Sequence, residues 1–496
     1  MRPPAGGIVF RCAMRRLACV LLTLVFAAAA DASEFSADLA ARRARVAERL
    51  GPDAMLLLWS APERRYSRDV DYEYRQDSNL YYLTGITQPG TMLIVMPGNQ
   101  SRREILFVQD RNPAQEHWTG RLLSIEEARL QSGVETVLVS SQFEAFVTAM
   151  LTRRSYGPVD TTQAARFFEA LSVARARVHV ALEDGQSLSD PLTPPLEFAK
   201  RIRERFVGFD LADAGGIFTD LRTVKTPYER TVFAQSLDIS VDAQKAGMRA
   251  AHPGAWEYEV KAAIEAVHRG RGAPSSAYPS IVGSGPNATI LHYPGGERQM
   301  QAGELLLVDA ACNYGYLSGD ITRTYPVSGT FSPAQKDIYE LVLQAQTEAI
   351  KAARPGASFQ DVHKRAVDVL KAGLLALGLI TDTSGDQYRT WYTHGTSHYI
   401  GIDVHDVGDA KRPLEAGMAF TIEPGLYIRQ SALDALPRTT ENLAFIAKVQ
   451  PAVRKYADIG VRIEDSFLLD GSGLRNLSQA LPKTVADIEA SMRGGR

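Results

Sequence analysis

Among 496 residues there are only three cysteines, and Cys12 and Cys19 fall within the first twenty positions, leaving Cys312 alone. Without that leading segment no intramolecular disulfide can form, so stability has to come from packing. Basic clusters are missing too. Lys and Arg number 55 against 57 Asp and Glu, and no run of them suggests a nucleic-acid or anionic-lipid surface. Beyond the N-terminal segment no stretch stays apolar for the ~20 residues a membrane-spanning helix needs. Repeats of fixed period and low-complexity linkers are absent, which argues against a solenoid. Several chemistries fail for want of one residue. There is no G-x-S-x-G nucleophile elbow. The glycine fingerprint in "GSGPNA" (283–288) contains Pro286 and opens no helix, and the acids Asp69, Asp71 and Glu73 are followed by Tyr74 where a calcium loop needs glycine.

What is present begins with "MRRLACVLLTLVFAAAADAS" (14–33): two arginines, an apolar run from Leu17 to Ala30, then Ala30-Asp31-Ala32. This pattern predicts a secretory signal peptide over residues 1–32 with an A-x-A cleavage site, and Met14 as an alternative start. An exported chain follows, periplasmic or secreted. Cys19 sits too early in the apolar run for lipid attachment. Removing residues 1–32 takes the net charge to about −5.

Residues 33–221 alternate short apolar runs ("AMLLLW", "TMLIVMPG", "EILFVQD", "TVLVS") with helical stretches ("SQFEAFVTAMLTRR", "PPLEFAKRIRERF"), the pattern of an α/β domain. Thr226-Pro227-Tyr228-Glu229 reads as a capping box opening a long helix toward Arg249, which sets the boundary between residues 221 and 222. From 222 to 496 helices surround a set of strands. Trp256–Arg271 is predicted helical, and another helix starts at Ser332-Pro333 with Ile338, Leu341, Val342, Ala345 and Ala349 on one apolar stripe.

The segment "HGTSHYIGIDVHDVG" (394–408) holds three of the nine histidines, His394, His398 and His405. It is too rich in glycine for ordinary core, which raises the odds of a metal or acid–base site. His394 and His398 have H-x-x-x-H spacing, but Gly395 occupies the place of a zincin's glutamate and the segment is a poor helix. "ELLLVDAACNYGYLSGDITRTYPV" (304–327) predicts two strands about a turn at Tyr314-Gly315, setting Asp309 opposite Asp320. Glu423 in "MAFTIEPGLYI" and Glu464 in "GVRIEDSFLL" lie in further apolar strand-like runs, with Arg462 as an ion-pair alternative for Glu464. Buried acids need a partner or a metal. Four carboxylates with an imidazole suit two divalent ions, Mn²⁺ more naturally than a thiolate-bound zinc. Such a pair holds a bridging water as a hydroxide nucleophile near neutral pH.

Taken in order, "IVGSGPNATILHY", "LVDAACNYGYLSGDITRTYPV", "HGTSHYIGIDVHDVG", "TIEPGLYI" and "GVRIEDSFLL" resemble the proline-specific branch of the pita-bread metallopeptidases, which contains aminopeptidase P and prolidase. The likeness spans roughly residues 222–480. "YRQDSNLYYLTG" (74–85) resembles the N-terminal domain of bacterial aminopeptidase P, implying a creatinase-like α/β domain ahead of a catalytic pita-bread domain. The resemblance implies that Asp309, Asp320, His398, Glu423 and Glu464 bind two metals, commonly manganese. It further implies that His292 and His405 contact substrate, that His394, Tyr427 and Arg462 form the proline side, and that Glu423 is the general base. Proline-containing peptides are the implied substrates, and a homo-oligomer, dimer or tetramer, the implied assembly. A dipeptide-only prolidase is the nearest alternative, and a non-catalytic peptide-binding relative a more distant one, since such relatives lose ligands that are intact here.

Overall fold

The computed structural model describes residues 34–99, 102–157, 165–182 and 187–494. The expected signal segment lies outside them. The chain divides into two compact units, Met1–Leu221 and Arg222–Arg496. No helix among the described residues is long and apolar enough to cross a membrane.

In the first unit the apolar runs become a six-stranded sheet. Its strands are β1 (Ala54–Trp59), β2 (Met92–Val95), β3 (Glu104–Val108), β4 (Thr136–Val139), β5 (Ala176–Val180) and β6 (Phe209–Asp213), in the order β4-β3-β2-β1-β5-β6. β2 is antiparallel to both neighbours, while β5 runs parallel to β1 and β6. Helices α1 (Phe143–Leu151) and α2 (Pro194–Arg205) bring Phe143, Phe146, Phe198 and Ile202 onto Met55, Leu57, Ile94 and Phe107 in one core. Amphipathic helices thereby bury the apolar face of the sheet.

The second unit opens at the predicted capping box. Glu229 N donates to Thr226 Oγ1 at 3.1 Å, and Thr226 N donates to the Glu229 carboxylate at 2.9 Å. Two of the helix's unpaired N–H groups are satisfied reciprocally, and α3 runs Pro227–Ala250. The other expected helices follow: α4 (Glu257–Gly270) and α5 (Pro333–Ala352), whose apolar stripe is buried. α6 (Phe359–Ala376) packs on α5.

Short antiparallel strands complete this unit. β7 (Ile281–Ser284), β8 (Leu305–Asp309) and β11 (Thr322–Pro326) share a sheet, with the hairpin β9 (Cys312–Tyr314) and β10 (Leu317–Ser318) between β8 and β11 in the chain. β12 (Ala419–Ile422) pairs with β15 (Asp465–Asp470), and β13 (Gly425–Ile428) with β14 (Ile459–Arg462).

The hairpin register differs from expectation. Its turn centres on Gly315 and Tyr316, pairing Tyr314 with Leu317 and Asp309 with Thr322, so Asp309 does not face Asp320. Both turn residues have positive φ, +55° and +65°, as a two-residue type I′ hairpin requires. Tyrosine rarely occupies that region, so residue preference alone places the turn one position too early. The acids also differ from expectation in lying at strand breaks. Asp309 ends β8, Asp320 falls between β10 and β11, Glu423 between β12 and β13, and Glu464 between β14 and β15. A continuous strand would tie each side chain to one face by alternation. A break releases it to turn toward a common point.

Candidate active site

The histidine segment has no regular structure of its own and runs as an irregular edge along β12. Glu423 N donates to Thr396 O at 2.8 Å, Thr421 N to His398 O at 3.0 Å and Ile400 N to Ala419 O at 3.1 Å. This antiparallel run sets His398 beside Glu423. His398 Nε2 lies 3.4 Å from Glu423 Oε1, 3.4 Å from Asp320 Oδ2 and 4.0 Å from Glu464 Oε1. The other ring nitrogen, Nδ1, lies 3.0 Å from Tyr399 O. A proton on Nδ1 satisfies that carbonyl and aims Nε2 at the acids, the orientation a ligating histidine needs.

Asp320, His398 and Glu464 each offer a ligand atom, and these atoms lie within 4.8 Å of one another. Asp309 and Glu423 wall the same cavity of about 310 Å³. Asp309 is turned toward Arg462, whose guanidinium donates to its carboxylate, and toward the Tyr278 hydroxyl. That hydroxyl also lies 2.7 Å from Asp320 Oδ1. One phenolic proton thus serves two carboxylates. Adjacent acids in the chain diverge: Glu464 accepts from Thr322 Oγ1 at 2.7 Å, while Asp465 pairs with Arg323 at 2.6 Å and Lys483 at 2.8 Å.

The electrostatics suit a divalent cation. Burial pushes Glu464 well above the usual carboxylate range, and the charges of Asp320, Glu423 and Asp309 push it further. Glu423 rises to about 7 through burial, with His398 and Arg462 offsetting part of the effect. Burial lowers His398, but its hydrogen bond to Asp320 and the Glu423 charge outweigh that and raise it to about 9. Four acids facing one arginine and one imidazole are a donor set for hard or borderline divalent cations.

The remaining histidines stand around the acids. His292 and His405 share the cavity wall, ring centroids 6.5 Å apart, and His405 meets His398 edge-on at 4.4 Å. Burial lowers the His405 pKa, with the His398 charge adding. His394 falls to about 3 through burial and the nearby Arg462, so its ring is neutral. Its Nε2 lies 2.8 Å from the Tyr427 hydroxyl, which also accepts from Arg462 Nη1 at 3.0 Å. Tyr427 is buried and links His394 to Arg462. Beside this cavity lies a second, about 250 Å³, lined by Tyr278, Ile281, Tyr293, Pro294 and Val404 and sharing His292, His405, Asp309 and Asp320 with the first. A larger open cleft of about 690 Å³ near Arg230, Arg271 and Arg475 gathers no such set of acids and histidines.

All ten expected site residues therefore gather around one centre in the second unit. Sequence reasoning misses three hydroxyls there. Tyr278 stands in "SAYPS", where no pattern marks it. Thr322 links Glu464 to Arg462, its Oγ1 accepting from Arg462 Nε at 3.0 Å, and Thr396 supports the histidine segment. The Arg462 alternative also resolves differently. It pairs with Asp309, and its hydrogen-bond link to Glu464 runs through Thr322.

The chain is 34% identical over 461 residues to the Xaa-Pro aminopeptidase of Haemophilus influenzae, covering 91% of this chain and 96% of that protein. Among solved structures it is similar to Pseudomonas aeruginosa aminopeptidase PepP, with a TM-score of 0.77 and 32% identity over 93% of this chain and 98% of that one. Zinc-substituted Escherichia coli aminopeptidase P in complex with product gives a TM-score of 0.75 and 31% identity, covering 93% and 99%. The profile of the aminopeptidase P N-terminal domain matches residues 39–158. That of metallopeptidase family M24 matches residues 232–470, the stretch that holds every acid and histidine of the site. The cluster of acids around His398 and these end-to-end likenesses agree: the chain belongs to metallopeptidase family M24.

Proposed function

We propose that this protein is a metal-dependent Xaa-Pro aminopeptidase, releasing an N-terminal residue from the proline that follows it. The observation that carries this reading is the convergence of Asp320, His398 and Glu464 in a cavity also walled by Asp309, Glu423, His292, His394 and His405. Two divalent ions, Mn²⁺ by the chemistry of an oxygen-rich donor set, would be held by Asp309, Asp320, His398, Glu423 and Glu464. When bound, such a pair polarises the scissile carbonyl and lowers the pKa of water.

The chain's own residues do the rest. Glu423 is more exposed than Glu464, side chains 16% and 2%, and accepts the proton of the attacking water. Water adds to the carbonyl carbon, the carbon–nitrogen bond breaks, and the proton passes to the proline nitrogen. His292 and His405 face the developing oxyanion as hydrogen-bond donors. His394, backed by Tyr427 and Arg462, holds the proline side. A signal peptide over residues 1–32, export and a homo-oligomer are part of the same proposal, supported by the apolar N-terminal run and the family likeness. Stripping divalent metal and restoring Mn²⁺ tests the reading: release of the first residue from Xaa-Pro-Xaa peptides should disappear and return. Activity indifferent to both treatments would overturn it.

A further inference from the structure

We propose that Thr396 and His363 are positioning residues for His394, anchoring the active-site histidine segment to helix α6. The inference rests on the peptidase reading above. His363 lies on α6, outside the strands that carry the acids, and its Nδ1 is 2.8 Å from Thr396 Oγ1. The Tyr392 hydroxyl lies 2.6 Å from the same oxygen. Thr396 and Tyr392 are each 1% exposed, so these polar atoms depend on one another for partners. Thr396 has one hydroxyl proton and two partners. With two lone pairs as well as that proton, its Oγ1 can bond His363 and Tyr392 at once, joining the three side chains in one hydrogen-bonded group.

The group bears on catalysis through two contacts. Tyr392 meets the His394 ring edge-on, centroids 5.0 Å apart, on a different contact from the Tyr427 hydroxyl that holds Nε2. Thr396 also accepts from Glu423 N at 2.8 Å through its main-chain oxygen. One residue thus links the proposed base, the proline-side histidine and α6. Such a support matters because the segment is irregular and Gly395 is exposed, with nothing near its Cβ direction. A constellation set on loops needs its second layer to fix its geometry.

The test compares Thr396→Val, which keeps the shape but removes the hydroxyl, with Thr396→Ser, which keeps the hydroxyl, and Tyr392→Phe as a second hydroxyl deletion. Metal content, kcat and KM on an Xaa-Pro-Xaa tripeptide, and the ¹⁵N shifts of the His394 ring are measured in the full-length protein. Thr396→Val and Tyr392→Phe should keep wild-type metal, raise KM about tenfold, the scale of one hydrogen bond, and move the His394 shifts. Thr396→Ser should stay within about twofold of wild type with unmoved shifts. Wild-type kinetics and shifts in both deletion variants would overturn the proposal. Equal impairment in Thr396→Ser would assign the effect to packing, and loss of metal would assign it to the acids, each against it. A wild-type protein that cleaves no Xaa-Pro peptide would refute the peptidase reading separately, and the His394 shifts would still decide the positioning role.

Discussion

Loading divalent metal into the metal-free protein should expel protons, in a number set by the site. His398, raised to about 9 by Asp320 and Glu423 despite its burial, is protonated at pH 7. Glu423, raised to about 7 chiefly by burial, is half protonated there. Both must give up a proton to offer a lone pair to a cation. The two groups together therefore release about 1.5 protons at pH 7 and about one at pH 8, and Glu464, also pushed upward, adds to this. Apparent affinity should climb at least about 30-fold per pH unit near neutrality. Stability of the metal-free protein has the opposite sign. A histidine raised from 6.5 stabilises the fold fully below that value and loses its contribution, about 3 kcal/mol, as pH rises through 9. A glutamate raised from 4.5 acts in the same direction, its ionisation opposing the fold between about 4.5 and 7. The two form one ion pair, so their contributions do not add. The metal-free protein should thus melt higher at pH 6 than at pH 9. Calorimetric titration in two buffers of different ionisation enthalpy counts the protons directly. Fewer than about half a proton released at pH 7, or an affinity flat with pH, would show that His398 and Glu423 do not carry these protons.

Asp309→Asn and Glu464→Gln should each leave a folded protein that has lost metal and activity, because an amide is a far weaker ligand than a carboxylate; full activity at unchanged metal content would reject those ligand assignments. His405→Ala should keep its metal and lose turnover, by roughly 10²-fold for a lost oxyanion donor, and elemental analysis beside kcat separates the two roles. Cys312 is fully buried, held by Ser236 and Ser240, and burial raises its thiol pKa. It should resist thiol reagents in the native protein, and fast labelling before unfolding would contradict this.

How legible the fold is from residues depends on whether the signal is local. The helices start where capping boxes and proline place them, as at Thr226 and Ser332, because those devices act within one turn. The buried strands of the first unit announce themselves as apolar runs bounded by turn residues. The hairpin register does not, because Tyr316 in a left-handed conformation contradicts its own preference. The acids stand out as charges in apolar surroundings, whereas the strand breaks that aim them arise from tertiary pairing. Tyr278 and Thr396 remain invisible in the sequence for a related reason. A hydroxyl is ordinary in a loop, and only the packed structure sets each one beside the acids or the histidines.

The most direct test of the central claim is a comparison of kcat/KM for the metal-loaded protein on three peptides: Xaa-Pro-Xaa, the dipeptide Xaa-Pro, and Xaa-Ala-Xaa. The metal-loaded protein should release the first residue from the tripeptide with proline in second place, act weakly on the dipeptide and leave the alanine peptide intact. A kcat/KM at least about tenfold higher on the dipeptide, ~1.4 kcal/mol of transition-state preference, would make the protein a prolidase, and cleavage of none of the three would contradict the account altogether.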